Sequence, residues 1–386
     1  MAMKGRAVYA SRYNVLEAAK QRIRFIYEEF EGDVSVSVSG GKDSTVVLEL
    51  ACQVAKELGI DRVHAMWLDQ ECEFEATVDY MRKINAREDI DLDWYQVPFK
   101  LFNSTNHADP WLRVWDPDPA VEWVREKEPD SIHENTFTDY RGRPIERFTK
   151  LLGAINKSSA RAHLTGVRAE ESPGRTLGVS SQQTYKYVTW GSKGLPKNKD
   201  GSTPFYLFHP LYDWRFPEIW KAIHEHGWDY NDHYNTQFRM GVPTRQMRVS
   251  NYHHETALHA LTVLQEIEPE TWERATRRLA GVNSYSHLSG GDLLPKTLPY
   301  MFENWDEYLR HLIDNLNEDE EHRKMFYDQY AELLRRVPPE DLDTGRRMLC
   351  RYVIDNDLYG TKLDNYLSIV GRKRAEGIAA AERSAS

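Results

Sequence analysis

Cysteine is scarce in this chain, with Cys52, Cys72 and Cys350 the only three in 386 residues. They form no C-x-x-C pair, which excludes a disulfide framework, a four-cysteine zinc site and a self-contained iron–sulfur cluster. The sequence also lacks the run of roughly 18 apolar residues that a membrane span requires. Its first residues lack the apolar core of a signal peptide. We therefore expect a cytoplasmic protein that has no membrane segment and binds neither zinc nor an iron–sulfur cluster.

Basic residues are outnumbered by acidic ones, 50 to 60, so the formal net charge is −10. The balance reverses in residues 141–199, where twelve Lys/Arg against three acids give a local charge of +9. Such a segment is typical of a site for a nucleotide, a polyphosphate or a nucleic acid backbone, and a solvated basic face is the alternative. Its loop with Lys193, Lys197 and Lys199 would clamp a polyanionic partner or serve only as a flexible linker.

Hydrophobic periodicity predicts a β-α-β-α-β order at the start of the chain and a helical region beyond about residue 247. The predicted strands cover 34–39, 62–68, 93–99, 161–167 and 205–211, and the predicted helices cover 12–30, 44–58, 75–88, 216–227, 303–316, 319–336 and 343–354. This order implies an α/β fold in which a parallel sheet carries helices on both faces.

The same patterns suggest how the chain is divided. We expect an α/β domain over residues 1–245, a helical C-terminal region over 246–370 and a flexible tail over 371–386. Residues 103–143 are rich in Trp, Pro and Asp and too long for a passive connector. They are interpreted as a packed insertion near the functional site.

Between the first strand and its helix stands the hexapeptide "SGGKDS", Ser39 to Ser44. Gly40 and Gly41 permit backbone conformations and close approaches that a Cβ would prevent. The following helix adds free N–H groups and its positive dipole end, while Lys42 adds a mobile cation and the serines add hydroxyl donors. Phosphate binding is the predicted role, although the spacing matches neither G-x-x-x-x-G-K-[ST] nor G-x-G-x-x-G.

"SGGKDS" after a valine-rich strand is similar to the signature of the PP-loop ATP pyrophosphatases, which split ATP between its α and β phosphates. Later stretches resemble phosphoadenosine phosphosulfate reductases and the small ATP sulfurylase subunit, namely "WLDQECEFEATVDYMRKI", "LTGVRAEESPGR" and "HPLYDWRFPEIWKAIHEHGWDYNDHY". These motifs occur in the family's order over residues 34–234. The resemblance implies an adenine nucleotide alpha hydrolase-like, Rossmann-like sheet.

Two further observations refine the choice of family. The reductases carry a catalytic cysteine in a C-terminal E-C-G-L-H motif, which is missing here, and Cys350 lies in an apolar helical pattern typical of a core thiol. Most of the chain also resembles the immunoglobulin-binding-regulator A family, a reductase-like PP-loop group commonly encoded in phages and mobile elements beside a ParB/sulfiredoxin-like partner. That resemblance implies a possible protein partner without defining a reaction.

The motifs and the resemblance together imply a set of site residues. Lys42, Arg168 and Arg175 are expected to act in catalysis, the two arginines as bidentate anion clamps. Asp43 is the candidate Mg²⁺ ligand, and Asp69 would contact ribose or the metal or else cap a helix. The residues expected to hold the nucleotide are Ser37, Ser39, Gly40, Gly41, Lys42, Asp43, Ser44, Leu68, Asp69, Gly166, Glu170 and Glu171.

Three hypotheses about function follow. In the first, the protein binds ATP with Mg²⁺ and adenylylates an acceptor, such as a sulfate-like anion, a small acid or a nucleic acid group, with release of pyrophosphate. In the second, it uses phosphoadenosine phosphosulfate as a sulfo donor or in a reductase-type reaction. In the third, it is a nucleotide-sensing subunit that acts with a ParB/sulfiredoxin-like partner on DNA or transcription. A homo-oligomer is expected in each case.

Overall fold

A computed structural model describes residues 14–103, 111–139, 141–180, 185–193, 205–244, 247–249, 251–252, 261–279, 297–317, 319–360 and 362–371. The chain forms two compact units. The first comprises the described residues of Met1–Leu101 and Arg113–Asn251, and the second those of Phe102–Leu112 and Tyr252–Ser386. None of the described helices has the length and apolar character needed to cross a membrane.

The first unit is built on a six-stranded sheet with the order β3-β2-β1-β6-β8-β7. Neighbouring strands in this sheet pair in parallel, except that β7 runs antiparallel to β8 at one edge. The strands are β1 (Val34–Ser37), β2 (Val63–Leu68), β3 (Ile90–Tyr95), β6 (Ala162–Leu164), β7 (Gly191–Lys193) and β8 (Tyr206–Phe208), while β4 (Phe99–Phe102) and β5 (Trp111–Val114) form a separate pair. The predicted α/β fold is confirmed, with one antiparallel edge strand added.

The helices of this unit precede, connect and follow the strands along the chain. They are α1 (Val15–Glu29), α2 (Lys42–Glu57), α3 (Glu75–Asn85), α4 (Phe148–Ser159), α5 (Pro173–Ser180), α6 (Phe216–His226) and α7 (His233–Arg239). Local signals fix several ends: the Asn14 side chain accepts from the Glu17 N–H at 2.9 Å to start α1, and Gly227 takes a left-handed φ of 63° to end α6. In β1 even Ser35 is fully buried, because the sheet is covered on both faces.

The strand order reverses between β1 and β6, with β2 and β3 on one side and β8 on the other. In open parallel sheets the crevice beyond the carboxyl ends of the strands at this reversal is where ligands bind. The "SGGKDS" loop leaves β1 at this point. The fold therefore places the predicted phosphate loop at the expected ligand crevice.

The second unit is helical, as predicted. Its helices are α8 (Leu261–Ile267), α9 (Pro269–Arg278), α10 (Trp305–Leu316), α11 (Glu320–Arg336) and α12 (Leu342–Ile354). Leu309, Phe326, Leu333, Leu349 and Val353 belong to a separate hydrophobic core of this unit. The predicted helices at 303–316, 319–336 and 343–354 are thus confirmed to within two residues.

Three local predictions differ from the structure. The third strand is Ile90–Tyr95 rather than 93–99, because the alternating segment "IDLDWY" pairs with β2 over its whole length. Helix α4 was not predicted, and the basic loop begins with strand β7. The rest of that loop, part of the insertion and nearly all of the predicted tail lie outside the described residues.

Candidate functional site

The loop between β1 and α2 presents backbone donors at the carboxyl edge of the sheet. Gly40 has a φ of 68°, and a Cβ there would lie 2.7 Å from Thr77 Cγ2, so glycine is required. Gly41 then caps α2 without a side chain. In the first helical turn, the N–H groups of Asp43 and Ser44 find no acceptor within the described ranges. Free donors at a positive helix end suit an anion.

Hydroxyl groups brace this loop from within. Ser44 Oγ donates to the Gly41 carbonyl at 2.9 Å and accepts from the Ser39 N–H at 3.2 Å. Thr45 Oγ1 donates to the same carbonyl at 3.1 Å. The two serine Oγ atoms lie 3.2 Å apart. These bonds fix the backbone curvature that leaves the N–H groups of the helix start unpaired.

A second segment, residues 230–234, forms hydrogen bonds to the phosphate loop. Asn231 Nδ2 donates to the Gly40 carbonyl at 3.2 Å and to Thr77 Oγ1 at 2.9 Å. The Tyr234 hydroxyl accepts from the Lys42 N–H at 3.2 Å. Neither Asn231 nor Tyr234 was among the predicted site residues, although the Y-N-x-x-Y pattern was visible in the sequence. Their role is to position the phosphate loop.

Asp43 is bridged by two of the predicted cations. Lys42 Nζ lies 2.8 Å from Asp43 Oδ2, and Arg168 Nε lies 2.5 Å from Asp43 Oδ1. Burial lowers the pKa of Lys42, while the neighbouring Asp43 opposes that shift. The ammonium group also lies 5.6 Å from the centres of the Phe216 and Tyr234 rings. Lys42 is therefore held beside the loop rather than in the open crevice.

The acids that follow β6 are partners of the arginines. Glu170 Oε2 lies 3.2 Å from Arg168 Nη1 and accepts from the Phe216 N–H at 2.6 Å. Glu171 forms an ion pair with Arg175 and lies 3.8 Å from Arg168 Nη2. Arg168 is buried and Arg175 half-exposed. The structure thus brings Lys42, Asp43, Arg168, Glu171 and Arg175 into one charged cluster.

A cavity of about 480 Å³ opens at this edge of the sheet, within the range of roughly 300–1,000 Å³ typical of ligand pockets. The predicted residues that line it are Ser37, Ser39, Gly41, Asp43, Ser44, Leu68, Gly166, Glu171 and Arg175. The predicted residues that do not line it are Gly40, Lys42, Asp69, Arg168 and Glu170. Most residues of the predicted loop therefore face the cavity, and the other predicted site residues lie outside its lining.

Several lining residues were not foreseen. Val38, Phe148, Leu152 and Leu207 make part of the wall apolar. Asn156 on α4 joins them, and its Oδ1 is buried without a hydrogen-bond partner in the described part of the chain. The polar lining residues Gln70, Glu73 and Asn251 complete the wall. Because helix α4 was not predicted, its contribution to the site was not predicted either.

Asp69 belongs to a buried network rather than to the cavity surface. Its Oδ2 accepts from Trp94 Nε1 at 2.8 Å and Gln96 Nε2 at 2.9 Å, and it also pairs with the guanidinium of Arg125. Its Oδ1 accepts from the Glu71 N–H at 3.0 Å. Asp69 is fully buried with both oxygens engaged, so it presents no oxygen to the cavity. Its observed role is to hold the turn after β2.

The insertion fixes that turn. Glu71 has a φ of 66° and is fully buried, and its carboxylate accepts from the backbone N–H groups of Trp115 at 2.7 Å and Val124 at 3.2 Å. Arg125 of the same segment pairs with Asp69. This part of the insertion therefore packs next to the cavity and orients the turn that carries Gln70 and Glu73.

Glu73 is a buried carboxyl on the cavity wall, only 5% exposed. Burial first and the nearby Asp69 second raise its pKa from 4.5 to about 8, although Arg125 partly opposes this. The folded protein thus binds this proton more tightly than the unfolded chain, so stability is lost as the pH rises from about 4.5 to about 8.

We expect Glu73→Gln to remove this dependence. Relative to the variant, the native protein should lose about 1.4 kcal/mol of unfolding free energy per pH unit across that interval. Urea unfolding of both proteins between pH 4 and pH 9 measures the difference. A difference that stayed constant with pH would show that Glu73 titrates normally.

Among the described residues, no group of three or more His, Cys, Asp or Glu side chains is arranged to hold a metal ion. Asp43, the predicted Mg²⁺ ligand, has both carboxylate oxygens engaged by Lys42 and Arg168. A metal on this chain would therefore need ligands from a bound phosphate as well as from Asp43.

The basic segment 141–199 does not form a uniform basic face over its described residues. Arg143 pairs with Asp139, Arg161 with Asp33, and Lys186 with Glu29. These three acids lie outside the segment and offset part of its local charge of +9. Lys197 and Lys199 fall outside the described residues, so the nucleic acid hypothesis for this loop stays a prediction.

The three thiols are poorly placed for chemistry. Cys72 and Cys350 are fully buried, and Cys52 is partly buried on α2. Burial raises the pKa of both Cys350 and Cys52 to about 12. Since the thiolate is the reactive form, neither of these two side chains is set up as a nucleophile at neutral pH.

Comparison with known proteins supplies a family match. Residues 33–241 match the model of the phosphoadenosine phosphosulfate reductase domain, and residues 241–334 match a domain of unknown function (DUF3440). The uncharacterized protein YbdN of Escherichia coli is 27% identical over 95% of this chain and 96% of its own length. An adenosine 5′-phosphosulfate reductase of Staphylococcus saprophyticus is 22% identical over 58% of this chain and 74% of its own.

Among solved structures, the likenesses are distant. An FMN adenylyltransferase of Candida glabrata has a TM-score of 0.36 and 15% identity, covering 57% of this chain. This chain spans only 58% of the length of that enzyme. A phosphoadenylyl-sulfate reductase of Candida auris has a TM-score of 0.34 and 13% identity, covering 64% of this chain and 99% of its own.

Proposed function

The chain belongs to the phosphoadenosine phosphosulfate reductase domain family, and on that premise we propose that it binds ATP and cleaves the bond between the α and β phosphates. The adenylyl group passes to an acceptor and pyrophosphate is released. The observation that carries this proposal is the cavity at the strand-order reversal, whose wall includes Arg175 and the Asp43 and Ser44 N–H groups that have no acceptor among the described residues. The buried cations Lys42 and Arg168 pair with Asp43 of the same wall.

Each part of the cavity suits one part of ATP. The free N–H groups of Asp43 and Ser44 and the helix dipole suit phosphate oxygens. The apolar wall with Phe148 and Leu152 suits the adenine ring, and the amide of Asn156 suits its polar edge. This division orients the nucleotide along the carboxyl edge of the sheet.

Cleavage builds negative charge on the pyrophosphate leaving group, so donors fixed in advance lower the barrier. Lys42, Arg168 and Arg175 supply that charge, and the loop amides supply aligned donors. We expect phosphate oxygens to take the place of Asp43 as partners of Lys42 when ATP binds. Mg²⁺, held mainly by the phosphates with Asp43 beside them, would supply further charge neutralisation.

A reductase-type reaction is less well supported. It needs an accessible, reactive thiol, whereas Cys72 and Cys350 are buried and the pKa of Cys350 is raised by burial to about 12. The family's C-terminal cysteine motif is also missing from the sequence. These two observations favour adenylyl transfer over reduction within the same family.

The test is to incubate the protein with ATP labelled at the α-phosphate and Mg²⁺, and to separate the products. We expect labelled AMP or an adenylylated product together with pyrophosphate. Lys42→Ala should reduce this turnover by at least about 10²-fold, because it removes a charge that stabilises the leaving group. Lys83→Ala is the matched control, since that exposed lysine pairs with the exposed Asp229 on the surface.

The resemblance to the immunoglobulin-binding-regulator A family implies a ParB/sulfiredoxin-like partner. The experiment should therefore be repeated with that protein added. ATP that binds but stays intact in every mixture would overturn the adenylyl-transfer proposal and favour a nucleotide-sensing subunit. Turnover that Lys42→Ala leaves unchanged would place the chemistry elsewhere.

A further inference from the structure

We propose that Gln70, Glu73 and Asn251 form an acceptor subsite, and that it takes a neutral amine or hydroxyl nucleophile rather than a sulfate-like oxyanion. The inference rests on the proposed adenylyl transfer and adds the chemical class of the acceptor. It assigns Glu73 to receive the proton of the attacking group and Asn251 to orient it.

The position of the subsite follows from the order of the strands. Gln70 and Glu73 follow β2, the phosphate loop follows β1, and Arg175 follows β6. All of them line one cavity. The acceptor wall is thus on the β2 side of the loop, while the arginine is on the β6 side. A nucleophile on the β2 side would lie next to phosphates that the loop and the arginine hold.

Asn251 supplies an independent sign of a missing ligand. It is 4% exposed and lines the cavity, and its Nδ2 donates to Gln70 Oε1 at 2.5 Å. Its Oδ1 is buried and has no partner among the described residues. A buried polar atom left without a hydrogen bond is costly. An N–H or O–H group of an acceptor would satisfy it.

The charges around Glu73 decide between acceptor classes. Asp69, at the end of β2, disfavours its ionised form, and Arg125 of the insertion favours it, although that guanidinium is paired with Asp69. No ion pair to Glu73 is found in the described part of the protein. In its ionised form, the only form that can accept a proton from an amine or hydroxyl group, a carboxylate without its own cation repels a second anion.

The chemical step balances without another reactant. The acceptor oxygen or nitrogen forms a bond to the α-phosphorus as the bond from that phosphorus to the bridging oxygen breaks. Pyrophosphate leaves with the electron pair, and the acceptor proton passes to the Glu73 carboxylate and then to solvent. Only ionised Glu73 can act, and its raised pKa of about 8 means that the rate should rise with pH up to that region.

The test compares two acceptor probes in the pyrophosphate-release assay with native protein, ATP and Mg²⁺. Hydroxylamine is the small neutral nucleophile, and molybdate is the sulfate-like oxyanion. We expect hydroxylamine to stimulate release at least about 10-fold more than molybdate. Glu73→Gln should lower the hydroxylamine-dependent rate by about 10²–10⁴-fold and abolish its rise with pH. ATP affinity should stay within about twofold.

Two further variants separate the acceptor subsite from general damage. Asn251→Ala should raise the KM for hydroxylamine more than it lowers kcat, because it removes a binding contact. Glu75→Gln, a matched acid two residues away that pairs with Arg82 on the surface, should behave like the native protein. Urea unfolding of each variant confirms that it is folded.

The outcomes distinguish the two proposals. Stimulation by molybdate but not by hydroxylamine, or a fully active Glu73→Gln variant, would overturn the acceptor class and leave adenylyl transfer standing. Absence of pyrophosphate release with both probes would overturn both. Hydroxylamine-dependent release that is lost in Glu73→Gln and retained in Glu75→Gln would establish the subsite.

Discussion

Replacing Asp69 with alanine should lower the free energy of unfolding by about 3–5 kcal/mol. Asp69 is fully buried and pairs with Arg125, whose guanidinium is itself almost completely buried. Its loss would leave that cation without a counter-ion in a medium of low polarity. It would also remove the acceptor of two side-chain donors, Trp94 Nε1 and Gln96 Nε2. Urea unfolding followed by circular dichroism measures the change.

Two comparisons make the result specific. Asp91→Ala removes an exposed carboxylate 3.5 Å from Arg62, and should cost less than about 1 kcal/mol. The double variant Asp69→Leu with Arg125→Met should recover much of the lost stability, because it removes both buried charges together. An Asp69→Ala variant as stable as Asp91→Ala would mean that this pair does not hold the turn after β2.

The role of Asp69 in the structure could not be predicted from the sequence. Its position after a buried strand suggested a contact with ribose or metal, or a helix cap. Its partner Arg125 lies 56 positions later in an irregular segment. No periodic pattern links the two, because the pairing depends on how the insertion packs. The insertion was expected near the site, yet the residues that it orients could not be inferred.

The phosphate loop was predictable for the opposite reason. Its function depends on backbone N–H groups, on Gly40 and on a helix that starts directly afterwards. All three features can be recognised within about ten residues of sequence. The supports of the loop are not local. Asn231 reaches the Gly40 carbonyl across 191 positions, and only the fold brings them together.

Helix α4 is another element that the sequence pattern did not predict. The segment "FTKLLGAINKSS" contains a glycine and two serines, which are poorer helix formers than alanine or leucine. Leu151 and Ile155, one helical turn apart, are fully buried and anchor it in the fold. The lining residues Phe148, Leu152 and Asn156 were therefore missed together with their helix.

Gly166→Ala is expected to lower ATP affinity by about 10²-fold while the protein still folds. A Cβ at this position would lie 2.8 Å from both the Asp43 carbonyl carbon and the Ser44 nitrogen. These are backbone atoms at the start of α2, so they must move as a unit. That shift displaces the unpaired N–H groups from the positions that phosphate oxygens require. The added methyl should cost only about 1–3 kcal/mol of stability.

Calorimetric titration with ATP, together with thermal unfolding, separates the two effects. Gly178→Ala is the matched control, because a Cβ there meets nothing within 4 Å and alanine favours a helix. It should bind ATP as the native protein does. Gly40→Ala should weaken binding as strongly as Gly166→Ala, since its φ of 68° and its 2.7 Å approach to Thr77 both oppose a side chain. Native affinity in Gly166→Ala would mean that ATP does not depend on the N–H groups at the start of α2, and the phosphate site would then have to lie elsewhere.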